Sequence, residues 1–229
     1  MTWSTNHSLE VVIGADTEHV PAEHFAARLA RYPQIVVDLG TGDGRYVLRT
    51  ARARSDALVI GIDPVASAMA AAAGRARRKP ARGGADNAVF LVASLERLPG
   101  ALRGVATEVT VNFPWGSLLL AVGWPRVPQL RTVVELLRPG GGLLALLNAS
   151  AAEQEQHASR LELPPLEDPG HVAGRLVPGW EEAGLTDVAW SYLQPGEDAP
   201  RRTTWGQRLI RGSGRRTLRV DALRSLTGA

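Results

Sequence analysis

The chain has 229 residues, a formal net charge of +3 and no cysteine, which excludes disulfides, thiolate nucleophiles and cysteine-based zinc sites. Its polar start lacks the apolar core of a signal peptide, and no apolar run approaches the roughly 18 residues that span a bilayer. A chain of this length suits one α/β domain with small extensions. We therefore expect a cytoplasmic protein without a membrane partner.

Short apolar, β-branched runs alternate with helical patterns along the first two thirds of the chain. After a strand over 9–14 and a helix over 21–33, we predict strands at 35–40, 58–63, 88–94, 105–113 and 142–148, and helices at 45–54, 65–79 and 130–142. A Pro-Gly pair closes the last of these helices. Strands and helices that alternate at this spacing predict a doubly wound, mostly parallel sheet with helices on both faces.

The last third of the chain contains two irregular segments. Residues 149–173 are polar and proline-punctuated, and residues 195–204 form a second loop, so we predict linkers or lids at both. Around them we predict a helix and a strand within 177–193, a short helix over 203–211 and a closing strand over 215–223. Residues 1–229 are predicted to form a single domain, in which 1–34 are an N-terminal extension of strand and helix.

A glycine-rich loop follows the strand at 35–40. From Asp38 to Gly44 it reads DLGTGDG, a GxGxG pattern and not the GxGxxG of pyrophosphate-binding folds. Its glycines allow backbone N–H groups to approach a ligand, while the carboxylates of Asp38 and Asp43 disfavour a phosphate and suit a cationic ligand. Asp63 ends the next strand, where a carboxylate binds ribose hydroxyls. Asp63 could also cap the helix that begins near Pro64.

Together these features resemble the S-adenosylmethionine (SAM) site of class I methyltransferases, which have a Rossmann-like α/β fold around a seven-stranded sheet. The resemblance implies SAM as the cofactor and S-adenosylhomocysteine as its product. It implies cofactor contacts from Asp38, Gly40, Thr41, Gly42, Asp63, Pro64, Ala93, Glu96 and Asn112. A plain strand-to-helix turn is the alternative interpretation of the glycine loop.

The sequence VNFPWGS at 111–117 places the aromatic ring of Trp115 directly after the strand predicted at 105–113, which is the fourth strand counted from the one before the glycine loop. In such folds this position lies beside the SAM methyl group, and methyltransferases that act on nucleobases often carry Asn/Asp-Pro-Pro-aromatic there. The spelling from Asn112 to Trp115 departs from that motif, but an indole still offers a π-face to a flat base. A core or lid position is the alternative for a lone tryptophan. Trp205 occurs in TTWGQRL beside basic residues.

The motifs VVDLGTGDG, ID, SLERLP, NFPWGSLL, LRPGG and TTWGQRL occur in an order that resembles the aminoglycoside-resistance 16S rRNA methyltransferases of the kanamycin–apramycin type. That family methylates N1 of an adenine in the decoding site of the small ribosomal subunit. The resemblance runs from about residue 35 to the C-terminus and implies the same activity here. It also implies that the target adenine is flipped out and stacked between Trp115 and Trp205.

Adenine N1 carries an unprotonated lone pair at neutral pH, so this chemistry needs no general base. The sequence agrees, because it contains no convincing Ser/His/Asp constellation and no metal-binding cluster. RNA binding would use cations, and the basic candidates are Arg75, Arg77, Arg78, Lys79, Arg82, Arg208 and Arg211. A solvated face is the alternative for each charge run. We expect a monomer that binds no metal.

Three other functions stay open at the level of sequence. A tRNA guanine-N7 methyltransferase typically has Asp-Pro before the tryptophan and a basic residue after it, whereas Pro114 and Gly116 flank Trp115 here. A small-molecule methyltransferase would not need the basic clusters. A SAM-binding, RNA-associated protein without catalysis would bind RNA but transfer no methyl group.

Overall fold

The computed structural model describes residues 3, 7–149, 164–194, 197 and 216–226. Trp205, Arg208, Arg211 and the helix predicted over 203–211 lie outside the described residues. Most of the two predicted linkers, 149–173 and 195–204, also lies outside them.

Nine strands form one sheet. They are β1 (Ser8–Ile13), β2 (Asp16–Pro21), β3 (Gln34–Leu39), β4 (Ala57–Asp63), β5 (Ala88–Val92), β6 (Ala106–Asn112), β7 (Leu137–Asn148), β8 (Leu185–Leu193) and β9 (Thr217–Arg224). Their order in space is β2-β1-β5-β4-β3-β6-β7-β9-β8. The central strands β5-β4-β3-β6-β7 are parallel, whereas β9 and β8 at one end and the hairpin β1–β2 at the other are antiparallel to their neighbours.

The predicted fold class is confirmed, with one difference at the N-terminus. The seven strands β3 to β9 correspond to the predicted seven-stranded sheet. The N-terminal extension adds a hairpin where the sequence predicts a single strand, because β1 pairs with both β2 and β5. The prediction of one domain for the whole chain stays a prediction, since part of the chain lies outside the described residues.

Helices cover both faces of the sheet. They are α1 (Ala22–Leu29), α2 (Arg45–Ala53), α3 (Ala66–Ala76), α4 (Gly116–Gly123), α5 (Val127–Val134), α6 (Pro169–His171) and α7 (Val177–Glu182), with a π-helical turn, Val172–Leu176, between the last two. Alternate residues of β3 enter two cores: Val36 packs with α2 and α3, while Ile35 and Val37 pack with α1, α4, α5 and α7. Burial on both faces explains the continuous apolar run of β3. No helix in the described ranges is long and apolar enough to cross a membrane.

The predicted helix over 130–142 is wrong at its C-terminal end. The helix α5 stops at Val134, and the LRPGG motif belongs to the start of β7. On the neighbouring β6, Ala106 pairs with Leu137 and Glu108 pairs with Gly142, so residues 138–141 bulge out of the ladder. Proline has no N–H to donate to a ladder, and it is tolerated at such a bulge. The Pro-Gly pair therefore interrupts a strand and does not end a helix.

The linker predicted over 149–173 also extends too far, because helical structure begins at Pro169. The Asp168 carboxylate accepts a hydrogen bond from the Gly170 N–H at 2.8 Å and so caps this helix. No helix was predicted directly after Trp115, where α4 begins.

The strand β3 lies at the point where the chain reverses its direction of travel across the sheet. Its two parallel neighbours are β4 on one side and β6 on the other. In open α/β sheets, ligands bind outside the carboxyl ends of the strands at such a switch point. The fold therefore places the ends of β3, β4, β5 and β6 around one crevice.

Candidate cofactor and base-binding site

A cavity of about 580 Å³ opens at the carboxyl ends of these strands. Its size suits a small cofactor, since ligand pockets commonly enclose roughly 300–1,000 Å³. Nine residues singled out in the sequence line it: Gly40, Thr41, Gly42, Asp63, Pro64, Ala93, Glu96, Asn112 and Trp115. The sheet thus brings three elements together around one cavity: the glycine loop, the carboxylate at the end of β4 and the tryptophan that follows β6.

The glycine loop presents its backbone to the cavity. The N–H groups of Gly40 and Thr41 donate to the carbonyl of Ile62 at 2.9 and 3.0 Å, which ties the loop to the end of β4. Gly42 has φ +57°, and among the described residues no atom lies within 4 Å of the place where a Cβ would stand. A ligand can therefore approach this backbone closely, and a side chain at this position would both strain the turn and fill that space.

The Asp63 carboxylate connects the glycine loop to the residues that lead into α3. One carboxylate oxygen accepts from the Gly42 N–H at 2.9 Å, and the other accepts from the Val65 N–H at 2.9 Å. A carboxylate has about four lone-pair sites, so two further donors can still bind. The N-cap of α3 is Val65 and no side chain caps it, so the contact of Asp63 with the Val65 N–H precedes the helix and is not the cap that the sequence offered as an alternative. This contact leaves room for ribose hydroxyls.

Asp38 lies under the loop and is completely buried. Its Oδ1 accepts hydrogen bonds from Thr110 Oγ1 and Asn112 Nδ2, each at 2.8 Å. Burial raises the pKa of this carboxyl from 3.8 to about 6, although the neighbouring side chains of Thr41, Thr110 and Asn112 act in the opposite direction. The group is therefore ionised at neutral pH but close to its titration range.

Three buried polar atoms at the floor of the site have no hydrogen-bond partner among the described residues: Asp38 Oδ2, Thr41 Oγ1 and Asn112 Oδ1. A buried unsatisfied group typically costs about 1–3 kcal/mol. Two of these atoms are pure acceptors and the third is a hydroxyl, so the set suits a cation that donates several hydrogen bonds. The ammonium group of SAM has this chemistry, and the site therefore fits the cofactor that the sequence predicts.

Glu96 connects the opposite wall of the cavity to α4. Hydrogen bonds to its carboxylate lower the pKa of Glu96, and the strongest comes from Ser117, followed by one from Ser94. Ser117 lies in the first turn of α4, two residues after Trp115. The predicted cofactor contact Glu96 and the tryptophan turn are therefore joined by a side-chain contact.

The turn that carries Trp115 has an unusual backbone. Phe113 has φ +51° and Gly116 has φ +57°. A left-handed conformation costs a non-glycine residue roughly 1–2 kcal/mol, and it is an outlier for a bulky side chain. Between these two residues, Trp115 adopts extended backbone and lies 39% exposed at the cavity. The sequence predicts a turn here, and the structure shows that the turn presents the indole to solvent.

The basic cluster, which we define as Arg75, Arg77, Arg78, Lys79 and Arg82, does not line the cavity. All five side chains are exposed. They lie at the end of α3 that is remote from the glycine loop, about 16 Å along an 11-residue helix. A short 3₁₀ turn, Pro80–Arg82, orders part of the cluster, and the Arg52 guanidinium holds this segment by donating to the Gly83 carbonyl.

Several residues of the site were not anticipated. Arg45, Phe113 and Ser117 line the cavity, and Thr110 holds the buried carboxylate of Asp38. Thr110 could have been found from strand alternation, because it pairs in register with Asp38 and shares a strand face with Asn112. Nothing in the local pattern of the sequence indicates the position of Ser117 or the strained backbone of Phe113.

Comparison with known proteins gives consistent results. The NpmA family model, described as 16S rRNA (adenine(1408)-N(1))-methyltransferase, matches residues 10–224. A protein of that description from Streptoalloteichus tenebrarius is 35% identical over 203 residues, covering 86% of this chain and 90% of its own. The antibiotic-resistance methyltransferase Kmr has a TM-score of 0.78 at 39% identity, covering 96% of this chain and 100% of its own. A tryptophan-to-alanine mutant of the methyltransferase from Catenulisporales acidiphilia, solved with its cosubstrate SAM, has a TM-score of 0.82 at 30% identity, covering 95% and 97%.

The buried carboxyl of Asp38 predicts a pH dependence of SAM binding. Its folded-state pKa is about 6, so lowering the pH through 6 protonates the group and removes the charge that attracts an ammonium ion. We expect SAM affinity, measured by titration calorimetry, to fall roughly tenfold per pH unit below pH 6 and to level off above pH 7. The variant Asp38→Asn should bind weakly at all pH values and lose this dependence.

The matched control is Asp16→Asn, which removes an exposed carboxylate from the edge strand β2, outside the cavity. This variant should keep the wild-type pH profile. An unchanged profile in Asp38→Asn would assign the dependence to another group.

Proposed function

We propose that this chain, which belongs to the 16S rRNA (adenine(1408)-N(1))-methyltransferase family, methylates N1 of the decoding-site adenine while that base is stacked on Trp115. The chain is a SAM-dependent methyltransferase. The observation that supports the proposed geometry is an exposed indole at the rim of a cavity whose floor suits SAM. Methylation of this adenine in the small ribosomal subunit would confer aminoglycoside resistance.

Each part of the cavity has a place in cofactor binding. Asp38, Thr41 and Asn112 would hold the ammonium group, and the free lone pairs of Asp63 would accept from the ribose hydroxyls. The wall from Ala93 to Glu96 would contact the adenine ring of the cofactor. Bound SAM supplies an electrophilic methyl group on a sulfonium sulfur.

The chain's own contribution to the chemistry is position. The lone pair of adenine N1 is unprotonated at neutral pH, so the residues near Trp115 need not remove a proton. Holding two reactants in line can replace much of the entropy cost of a bimolecular encounter. The product, 1-methyladenine, is cationic, and an indole face stabilises a ring that gains positive charge.

The target base must leave its stack to expose N1, because N1 lies on the Watson–Crick edge. Trp115 would then bind one face of the flipped base. We propose Trp205 for the other face on the basis of the motif resemblance. The flanking residues support this, because Leu193 at the end of β8 pairs with Thr217 at the start of β9. Thr217 in turn pairs with Asn148, at the carboxyl end of β7. The connection that contains Trp205 thus leaves and re-enters the sheet at the edge where the cavity opens.

Phosphate contacts would come from cations away from the cavity. We propose that the basic cluster at the end of α3 binds the RNA backbone, together with Arg208 and Arg211. Because the basic cluster is separate from the cavity, the RNA would have to contact two distant parts of the protein surface. A folded RNA can reach both parts more readily than a single strand can. Phosphate contacts position the enzyme and supply affinity without reading sequence.

We also propose that the whole chain acts as a single-domain, cytoplasmic monomer. The described residues belong to one sheet with two flanking helical layers. A ribosomal RNA substrate supports a cytoplasmic location for the activity.

Removing the proposed base-stacking surface should impair catalysis and leave the cofactor bound. We expect Trp115→Ala, and likewise Trp205→Ala, to lower methyl transfer to the small subunit by roughly 10–100-fold, since base–aromatic stacking contributes about 1–3 kcal/mol. SAM affinity should change by less than about twofold, because the cofactor contacts remain. Trp115→Phe should retain part of the activity.

The control is Trp3→Ala, which removes a tryptophan whose Nε1 donates to Glu135 far from the cavity. This variant should keep wild-type turnover. Full activity in both Trp115→Ala and Trp205→Ala would exclude the stacking geometry.

The proposed backbone contacts should appear in the salt dependence of binding. We expect the double variant Arg77→Ala/Arg78→Ala to weaken binding to the small subunit and to reduce the slope of log K against log salt by about 1 per lost phosphate contact. SAM affinity should not change. The double variant Arg31→Ala/Arg138→Ala, which removes two exposed arginines outside the cluster, should keep the wild-type slope. Equal slopes for both variants would show that the cluster is a solvated face.

A further inference from the structure

We infer that Phe113 is a positioning residue for the reaction, because its buried ring holds the strained turn that presents Trp115 to the base. The same ring ties this turn to the end of β8, from which the segment containing Trp205 departs. The inference rests on the proposed function, since it concerns how the tryptophans meet the target adenine.

The backbone of Phe113 calls for an explanation in terms of function. Among the described non-glycine residues, positive φ occurs at Phe113, with +51°, and at Asp187, with +54°. Aspartate tolerates this region because its short side chain bonds to nearby backbone, but phenylalanine has no such compensation. Strained residues of this kind persist where the surrounding structure holds them, and they cluster at functional sites.

The ring of Phe113 provides that hold. It is 5% exposed and packs with Leu144 and Leu146 of β7 and with Leu193 of β8. The Phe113 N–H also donates to the Leu146 carbonyl at 2.7 Å. This small apolar cluster is separate from the two large cores, so its packing bears on the turn more than on the sheet as a whole.

The cluster also links the Trp115 turn to the end of β8. Trp115 lies two residues after Phe113, and Gly116, with φ +57°, leads directly into α4. Leu193, which packs against the cluster, is the last residue of β8. A displacement of the Phe113 ring would therefore move Trp115 relative to the sheet.

The test separates positioning from simple stability. We expect Phe113→Ala to lower kcat for methylation of the small subunit about tenfold or more. The KM for the subunit should stay within about twofold of wild type, because the substitution removes no predicted RNA-binding cation. Because Phe113 also lines the cavity, kcat is measured at saturating SAM. Phe113→Leu, which keeps an apolar side chain of similar length, should recover most of the lost turnover.

Phe113→Gly distinguishes the ring from the backbone. Glycine adopts positive φ without strain but has no ring to pack against Leu144, Leu146 and Leu193. We expect this variant to be as slow as Phe113→Ala. If it turned over at the wild-type rate, the ring would not position the site and the inference would be overturned.

The matched control is Phe25→Ala, which removes the ring of a comparably buried phenylalanine, 2% exposed, that α1 contributes to the large core. It should lower Tm and leave kcat unchanged at a temperature where the protein is folded. A second readout is the ¹⁹F resonance of 5-fluorotryptophan at position 115, identified by its loss in Trp115→Phe. Phe113→Ala should shift or broaden that resonance, whereas Phe25→Ala should not.

Two results would contradict the inference while the proposed function stands. These are a kcat for Phe113→Ala equal to that of Phe25→Ala, or an unchanged ¹⁹F resonance, in an enzyme whose wild-type form methylates the decoding-site adenine. If Phe113→Ala does not fold, Phe113→Leu provides the same test. We then expect a smaller loss of kcat and a shifted ¹⁹F resonance. A kcat and a resonance that both equal those of wild type would contradict the inference. Failure of the wild type to methylate that adenine would instead refute the proposed function.

Discussion

The completely buried carboxylate of Asp38 joins the two halves of the site. It ends β3 beneath the glycine loop, and it accepts hydrogen bonds from Thr110 and Asn112 on the neighbouring β6. The strand that carries these two partners continues directly into the Trp115 turn. The glycine loop and the Trp115 turn are thus held in one register by a single desolvated charge, whose second oxygen has no hydrogen-bond partner among the described residues.

An enzyme that needs no general base depends on geometry more than on proton transfer. The structure is consistent with that requirement, because its costly features lie around the cavity: unsatisfied buried atoms at the floor and a strained phenylalanine at the rim. Both features destabilise the chain when no ligand is bound. We interpret them as the cost of a site that is already shaped for a cation on one side and a flat base on the other. Phosphate contacts can then lie well away from the reacting atoms.

Much of the fold could be predicted from sequence, because parallel strands buried on both faces leave continuous apolar runs and the glycine loop marks the switch point. Nine of the residues that line the cavity followed from their places at the ends of β3, β4, β5 and β6. Local patterns could not show the bulge in β7, because a Pro-Gly pair ends a helix as readily as it interrupts a strand. The left-handed backbone of Phe113 was equally inaccessible, since it depends on contacts with β7 and β8, which are distant in the chain.

The most direct test measures methyl transfer from labelled SAM to intact small ribosomal subunits, protein-free 16S rRNA and bulk tRNA in parallel, with primer extension to locate the modified base. The account predicts label in the small subunit and a stop at the decoding-site adenine, because a methyl group on N1 blocks base pairing. Label in tRNA alone would contradict it and favour guanine-N7 methylation. Bound SAM without label in any RNA would contradict it in favour of a binding protein that does not catalyse transfer.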